Sequence, residues 1–350
     1  MICANWRVRL GLRRRRAIPK TRQGVPVARN RAAFDPPADV NFDTGNGRRL
    51  SFTHSWRLSP GKIEASISQK AQIRIATDAK LPFEEFPRIA NRITNFLCFA
   101  IDKTVSIDQA STVIAPAENS EEGEGPARIA IYYQSLPFSE RAPRTDPHRM
   151  LFTYPRVRVS VADKFARWFA AYEQFQPALS LYFASRAGAH KYLNGRFLSV
   201  VQALETYHRR TRNERPFDAA TYGAFVSTLE QACPPEHREL LARLVRYGNE
   251  LSLAVRLKQI IEPFKDRLGD EEARKRFVRQ IVETRNYLTH YDPSLAERAA
   301  DGRDLLALCM IGEAILQLHF MKEVGFTDEE IDDIVARNDT LRAKLKSEPV

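Results

Sequence analysis

From Ser160 onward, apolar residues recur at helical spacing to the end of the chain, and this constrains the fold of the second half more than any other feature. The spacing predicts helices over about 161–184, 188–211, 217–231, 236–246, 254–267, 271–290, 301–324 and 328–346. Leu193, Phe197, Val200, Val201 and Leu204 form one apolar face, and Phe277, Ile281, Val282 and Leu288 form another. Thr327 and Glu330 have the spacing of a capping box for the last helix. Short connections between long helices favour antiparallel neighbours. The expectation is an all-α helical bundle over 160–325, with a C-terminal helix in 326–350.

The first half reads differently. Ile63–Ser68 and Ala71–Ile75 alternate in period two and read as strands, and Ala127–Tyr133 reads as a third. Glu84–Phe99 has helical spacing, and 117–126 is an acidic loop. Residues 46–158 are therefore expected to form an α+β N-terminal domain.

Charge separates a third region. The chain carries a formal +11, but residues 1–34 hold nine arginines, Lys20 and no acid. Everything after them carries only +1, so a nucleic-acid surface on the folded part must be local. Arg13–Arg16 are not followed by an apolar stretch, which excludes a secretory signal. For residues 1–45, a basic RNA arm, a transit-like segment, a disordered leader and a misassigned start remain open, the last two being preferred.

Leu305–Met321 is the most apolar long stretch. It contains Glu313, Gln317 and His319 and falls short of the roughly 20 apolar residues of a membrane span, so it reads as a core helix. Cys3, Cys98, Cys233 and Cys309 are scattered without a C-x-x-C pair, which argues against a disulfide framework or zinc site and fits a reducing cytoplasm. No motif calls for a cofactor or metal, and no membrane partner is expected.

Chemistry concentrates in Glu283–Pro293, where Arg285 and His290 form an R-x4-H pattern at the end of an amphipathic helix. Arg49 and His54 repeat the pattern, but in a strand-like stretch. Residues five apart on an unbroken helix differ by about 140° in direction. Pro293 should stop the helix, which puts His290 in or after its last turn, where the chain can swing the imidazole back toward Arg285. Such a pair suits metal-independent RNA cleavage. A base removes the ribose 2′-OH proton, the oxygen attacks the adjacent phosphate, and an acid protonates the leaving 5′-oxygen. Histidine titrates near neutrality, and a guanidinium can hold two phosphoryl oxygens at once. One histidine cannot easily act on both sides of phosphorus, a difficulty that two facing copies remove. The competing reading is that both residues cap carbonyls at the helix end.

Arg285-Asn286-x-x-x-His290, with Tyr291-Asp292 behind it, resembles the R-[polar]-x-x-x-H signature of the HEPN superfamily, in its ApeA-like branch. Trp168–Glu173 through Leu181–Phe183, and Arg196–Arg210, also resemble that branch. The 84–99 helix with Asn95-Phe96-Leu97 resembles the ApeA N-terminal domain. The resemblance covers about 50–325, and the N-terminal domain looks short at its beginning. It implies a helical, dimeric endoribonuclease of bacterial anti-phage defence, working by abortive infection. Its N-terminal domain would respond to a phage-derived trigger, its substrate would be RNA, with tRNA one subclass, and its setting the cytoplasm. Arg285 and His290 take the catalytic positions, and Asn286 helps orient them. The alternative is a helical module that has lost catalysis and binds RNA or a protein partner.

Glu205 and His208 share a helix face and stand as supporting residues that could orient the pair, against the simpler reading of a local surface pair. Arg209, Arg210 and Arg279 are candidates for RNA phosphates, against the simpler reading of solvated helix surface.

Overall fold

The computed structural model describes residues 2–6, 38–43, 47–60, 65–79, 81–114, 127–132, 138, 143, 145–188, 190–212 and 214–347. The acidic loop and most of the basic leader lie outside these residues. Two compact units divide at Phe169/Ala170.

The first unit is built on a six-stranded antiparallel sheet. Its strands are β1 (Ile2–Trp6), β2 (Val40–Asp43), β3 (Arg48–Pro60), β4 (Ala65–Thr77), β5 (Ile107–Ile114) and β6 (Ala127–Ile131), in the order β2-β3-β4-β1-β5-β6. Parts of the stretch read as leader therefore belong to the sheet. Ile2–Trp6 pairs with β4 on one side and β5 on the other, a central position that charge counting did not reveal. Of the two strands read at 63–68 and 71–75, Ile63 and Glu64 lie outside the described residues and the rest form one continuous strand, since Gln69-Lys70 contains no turn residue. Period two places Phe42, Leu50, Phe52, Ile73 and Ile75 on one face, through the pairs Phe42↔Leu50, Leu50↔Ile75 and Phe52↔Ile73.

Helix α1 (Glu85–Ile101) buries Ile89, Ile93, Phe96 and Phe99 at helical spacing and ends on Asp102 in the left-handed conformation. A short turn, α2 (Tyr154–Val157), precedes the long α3 (Val161–Arg186). In the first unit, Phe165 of α3 packs 4.1 Å from Phe96 and 5.0 Å from Phe42, ring centre to ring centre. Trp168 stacks on Phe99 and donates its indole N–H to the Arg92 carbonyl at 2.8 Å. Within α3, Phe175 departs from helical angles just before Pro177, whose ring cannot accept the regular helical ladder.

The second unit is helical: α4 (Leu193–Thr211), α5 (Ala219–Ala232), α6 (Arg238–Val245), α7 (Leu253–Ile261), α8 (Glu271–His290), α9 (Gly302–Glu323), α10 (Asp328–Arg337) and α11 (Asp339–Leu345). Helix α9 is its core. At 22 residues it is long and apolar enough to cross a membrane, so length does not exclude a span as the sequence argument supposed. What decides is burial: 83% of its apolar window is covered by protein, as a core helix requires. Phe320 of α9 packs with Tyr182, Phe175 and Tyr207. Glu313, wholly buried on α9, is held by Arg196 at 2.7 Å and Arg186 at 3.5 Å. Gly312 lets α4 approach closely, since a Cβ there would lie 2.6 Å from a Val200 methyl.

Two boundaries moved for local reasons. The helix expected over 254–267 becomes 3-10 from Glu262, where Pro263 withholds an N–H. The helix expected over 328–346 breaks at Asn338, whose side chain accepts the Leu341 N–H at 2.9 Å and so starts α11.

Candidate functional site

Helix α8 starts on Asp270, whose carboxylate accepts the Ala273 N–H at 2.7 Å, and continues through His290. Tyr291 then turns left-handed (φ 51°), and its N–H donates to the Tyr287 carbonyl at 2.6 Å. A non-glycine residue in this conformation marks an enforced stop. Pro293 supplies it by opening a 3-10 turn, capped where Asp292 accepts the Ser294 N–H at 2.9 Å. That hydrogen bond, aided by the charges of Arg298 and His290, holds the Asp292 carboxyl below its ordinary range. The Thr284 hydroxyl accepts the Ala300 N–H at 2.9 Å, and Arg298 pairs with Glu283 at 3.4 Å, so the turn is tied back onto α8.

His290 is thus the last residue of the helix, within the range the sequence predicted. The helix is regular up to it, however, so the imidazole is not swung back by an earlier stop. Arg285 and His290 keep the roughly 140° separation of an unbroken helix. Among the described residues no hydrogen bond joins them. Arg285 is half-buried beside the apolar face of Phe277, Ile281 and Leu288, and its Nη1 donates to Asn286 Oδ1 at 3.1 Å. Asn286 lies four residues before His290, on the same face. Asn286, which lies between the two around the helix, thus anchors the guanidinium at its own position. Arg279 is exposed on that face as well, seven residues before Asn286.

The supporting residues have other partners. Glu205 accepts from Arg209 Nε at 3.2 Å, one turn along α4. His208 is fully buried between α4 and α7, its Nε2 2.5 Å from Gln259 Oε1 and its Nδ1 3.1 Å from Arg256 Nη1. A guanidinium can only donate, so Nδ1 is the acceptor and Nε2 carries the proton. Burial lowers the affinity of this imidazole for a second proton, and the Arg256 charge opposes it too. None of these hydrogen bonds reaches Arg285, Asn286 or His290. The partners Arg256, Gln259 and Glu250 were not picked out in the sequence, because only tertiary packing brings α7 against α4.

Of the RNA-binding candidates, Arg209 is occupied by Glu205 and by Glu250 at 2.7 Å. Arg210 and Arg279 are exposed, with no ion pair among the described residues. Arg49 and His54 both lie on β3, and Arg49 pairs with Asp78 at 2.7 Å, which separates that repeat of the pattern from the helical one. Among the described residues no group of three or more His, Cys, Asp or Glu side chains is arranged to hold a metal ion.

Comparison with protein families matches residues 198–330 to the Apea-like HEPN family and residues 25–168 to ApeA N-terminal domain 1. The chain is an ApeA-like HEPN protein. The HEPN match contains α8 and the whole Arg285–His290 motif, and its family is one of anti-phage defence. The N-terminal match begins inside the stretch read as leader, and Leu181–Phe183 lies outside both matches. No curated protein and no solved structure matches the chain.

Proposed function

We propose that this ApeA-like HEPN protein is a metal-independent endoribonuclease of cytoplasmic anti-phage defence, acting by RNA cleavage as a homodimer. tRNA is one substrate class consistent with the reading. The observation that carries it is the end of α8, where Asn286 holds the Arg285 guanidinium one turn below an exposed His290. Arg285 would grip the non-bridging oxygens of the scissile phosphate and stabilise the charge gained on attack. His290 would move the protons, as base toward the 2′-OH or as acid toward the leaving 5′-oxygen. A single copy offers one imidazole, set well round the helix from the guanidinium. A second copy facing the first supplies the other proton-transfer group and brings an arginine to each phosphate.

A second reading, a module that binds RNA or protein without cleaving, is favoured by the missing hydrogen bond between Arg285 and His290 in one copy. Digestion of total RNA in EDTA separates the two. The wild type should leave 2′,3′-cyclic phosphate ends. Arg285→Ala and His290→Ala should each lower the rate by about 10²–10⁴-fold with an unchanged melting temperature. Cleavage that depends on a divalent ion, or that survives His290→Ala, would refute the mechanism.

A further inference from the structure

The arc of side chains that starts at Arg285 runs on past His290 to two aromatic rings. At about 100° per residue, Arg285, Asn286, His290 and Tyr287 fall at about 0°, 100°, 140° and 200° around α8. Tyr287 therefore stands beside the imidazole, on the side away from the guanidinium. Tyr291, one turn on, meets Tyr287 in a T-shaped contact, with ring centres 5.6 Å apart and planes at 63°. Tyr287 is half-buried, which holds its ring, whereas Tyr291 is 63% exposed.

The stop of α8 does not need this exposed ring. Pro293 ends the helix, and the bonds from Thr284 to Ala300 and from Glu283 to Arg298 tie the turn down. The stop leaves position 291 at φ 51°, where glycine or asparagine is at ease and a tyrosine is strained. A large ring here costs conformational energy while most of it stays in water. A T-shaped contact occupies at most one face of the Tyr291 ring, so the other face is free of Tyr287. An open aromatic face one residue from a proton-transfer group, in an arc that begins with a guanidinium, has the layout of a single-strand binding site. There a cation takes the phosphate and a ring takes the base.

We propose that Tyr291, braced by Tyr287, stacks an unpaired RNA base beside the scissile phosphate. This rests on the ribonuclease reading for the position of that phosphate. The phosphate lies on Arg285, the sugar passes His290, and the base lies flat on the open face of Tyr291. A base inside a duplex is already stacked on both faces and cannot be presented this way, so the cleaved bond adjoins a base splayed out of any helix. Every base has a π-face, so the ring selects unpaired over paired nucleotides and does not read their identity. Tyr291 moves no proton; it decides which bonds reach His290.

The test uses the full chain and a short unstructured RNA whose 2′-hydroxyls are replaced by fluorine, so that it binds without being cut. The fluorescent base 2-aminopurine is placed at each position in turn. Stacking on Tyr291 should quench it at one position, and an abasic nucleotide there should weaken binding by about tenfold. Tyr291→Gly eases the left-handed backbone, so its melting temperature should hold or rise. Its affinity should nevertheless fall by about tenfold, with the quench and the abasic penalty both gone. Tyr291→Phe keeps the ring and should bind as the wild type does. A ring that only caps the helix predicts the reverse: a lower melting temperature in Tyr291→Gly, with quench and affinity unchanged. The proposal is overturned by that result, by the absence of a quenched position in RNA that binds, or by an abasic penalty that survives Tyr291→Gly. Binding is read without cleavage, so the two readings fail separately. A chain that binds and quenches but never cuts natural RNA refutes the ribonuclease alone, and one that cuts with no dependence on Tyr291 refutes the stacking site alone.

Discussion

Asn286→Ala is the sharpest test of how the end of α8 works. The substitution removes the acceptor that holds Arg285 Nη1 at 3.1 Å and touches neither reacting group. A hydrogen bond to a charged group contributes about 1.5–3 kcal/mol. Arg285 is only half-buried, and water can replace part of the interaction, so the lower end of that range applies. If that energy serves to hold the guanidinium in place for the transition state, its loss is worth about tenfold in kcat/KM. This is well short of the 10²–10⁴-fold expected when proton transfer itself is removed. The loss should fall more on kcat than on KM, because a guanidinium held in place gains most from the charge that gathers on the phosphoryl oxygens in the transition state. Asn286→Asp retains an acceptor at the same place and should recover most of the rate, which a purely structural role for the amide would not predict. The assay is steady-state cleavage of a fluorogenic RNA by the three variants, with urea melts to confirm equal stability. Two results would refute the reasoning. One is Asn286→Ala within twofold of wild type while Arg285→Ala is inactive. The other is Asn286→Ala as inactive as Arg285→Ala, with no recovery in Asn286→Asp.

Two stability predictions follow from the helical core. Gly312→Ala places a methyl 2.6 Å from Val200 Cγ1 and should destabilise by about 1–3 kcal/mol, with Val200→Ala in the same chain recovering part of it; a double-mutant cycle in urea measures the coupling. Burial lowers the pKa of His319 to about 4, so the folded protein binds this proton less readily than the unfolded chain does. Its contribution is therefore present above about pH 6.5 and lost as pH falls toward 4, an effect of about 3 kcal/mol from this residue, with His208 shifted in the same direction. Urea midpoints at pH 7.5, 5.5 and 4.5 should fall in that order, and less steeply in His319→Gln.

The helical half was legible because its period, its caps and its proline stops are local properties. Helix α8 shows this: Asp270 caps its start, Pro293 forces its end, and both are visible in the sequence. The sheet was less legible, since β1 earns its place only by pairing with β4 and β5, residues roughly seventy to a hundred positions away. The same division runs through the candidate site. Arg285, Asn286 and His290 could be named together because they are neighbours on one helix. Spacing alone also pointed to His208, three residues from Glu205 on one helix face, as a residue that could orient the pair. What removed it from the exposed set was Arg256, 48 positions away, which can only donate and so fixes His208 as a neutral acceptor in the core. A histidine's position in the chain gives the face it occupies on its own helix. Whether that face meets solvent, and so a phosphodiester, is decided by the helix packed against it.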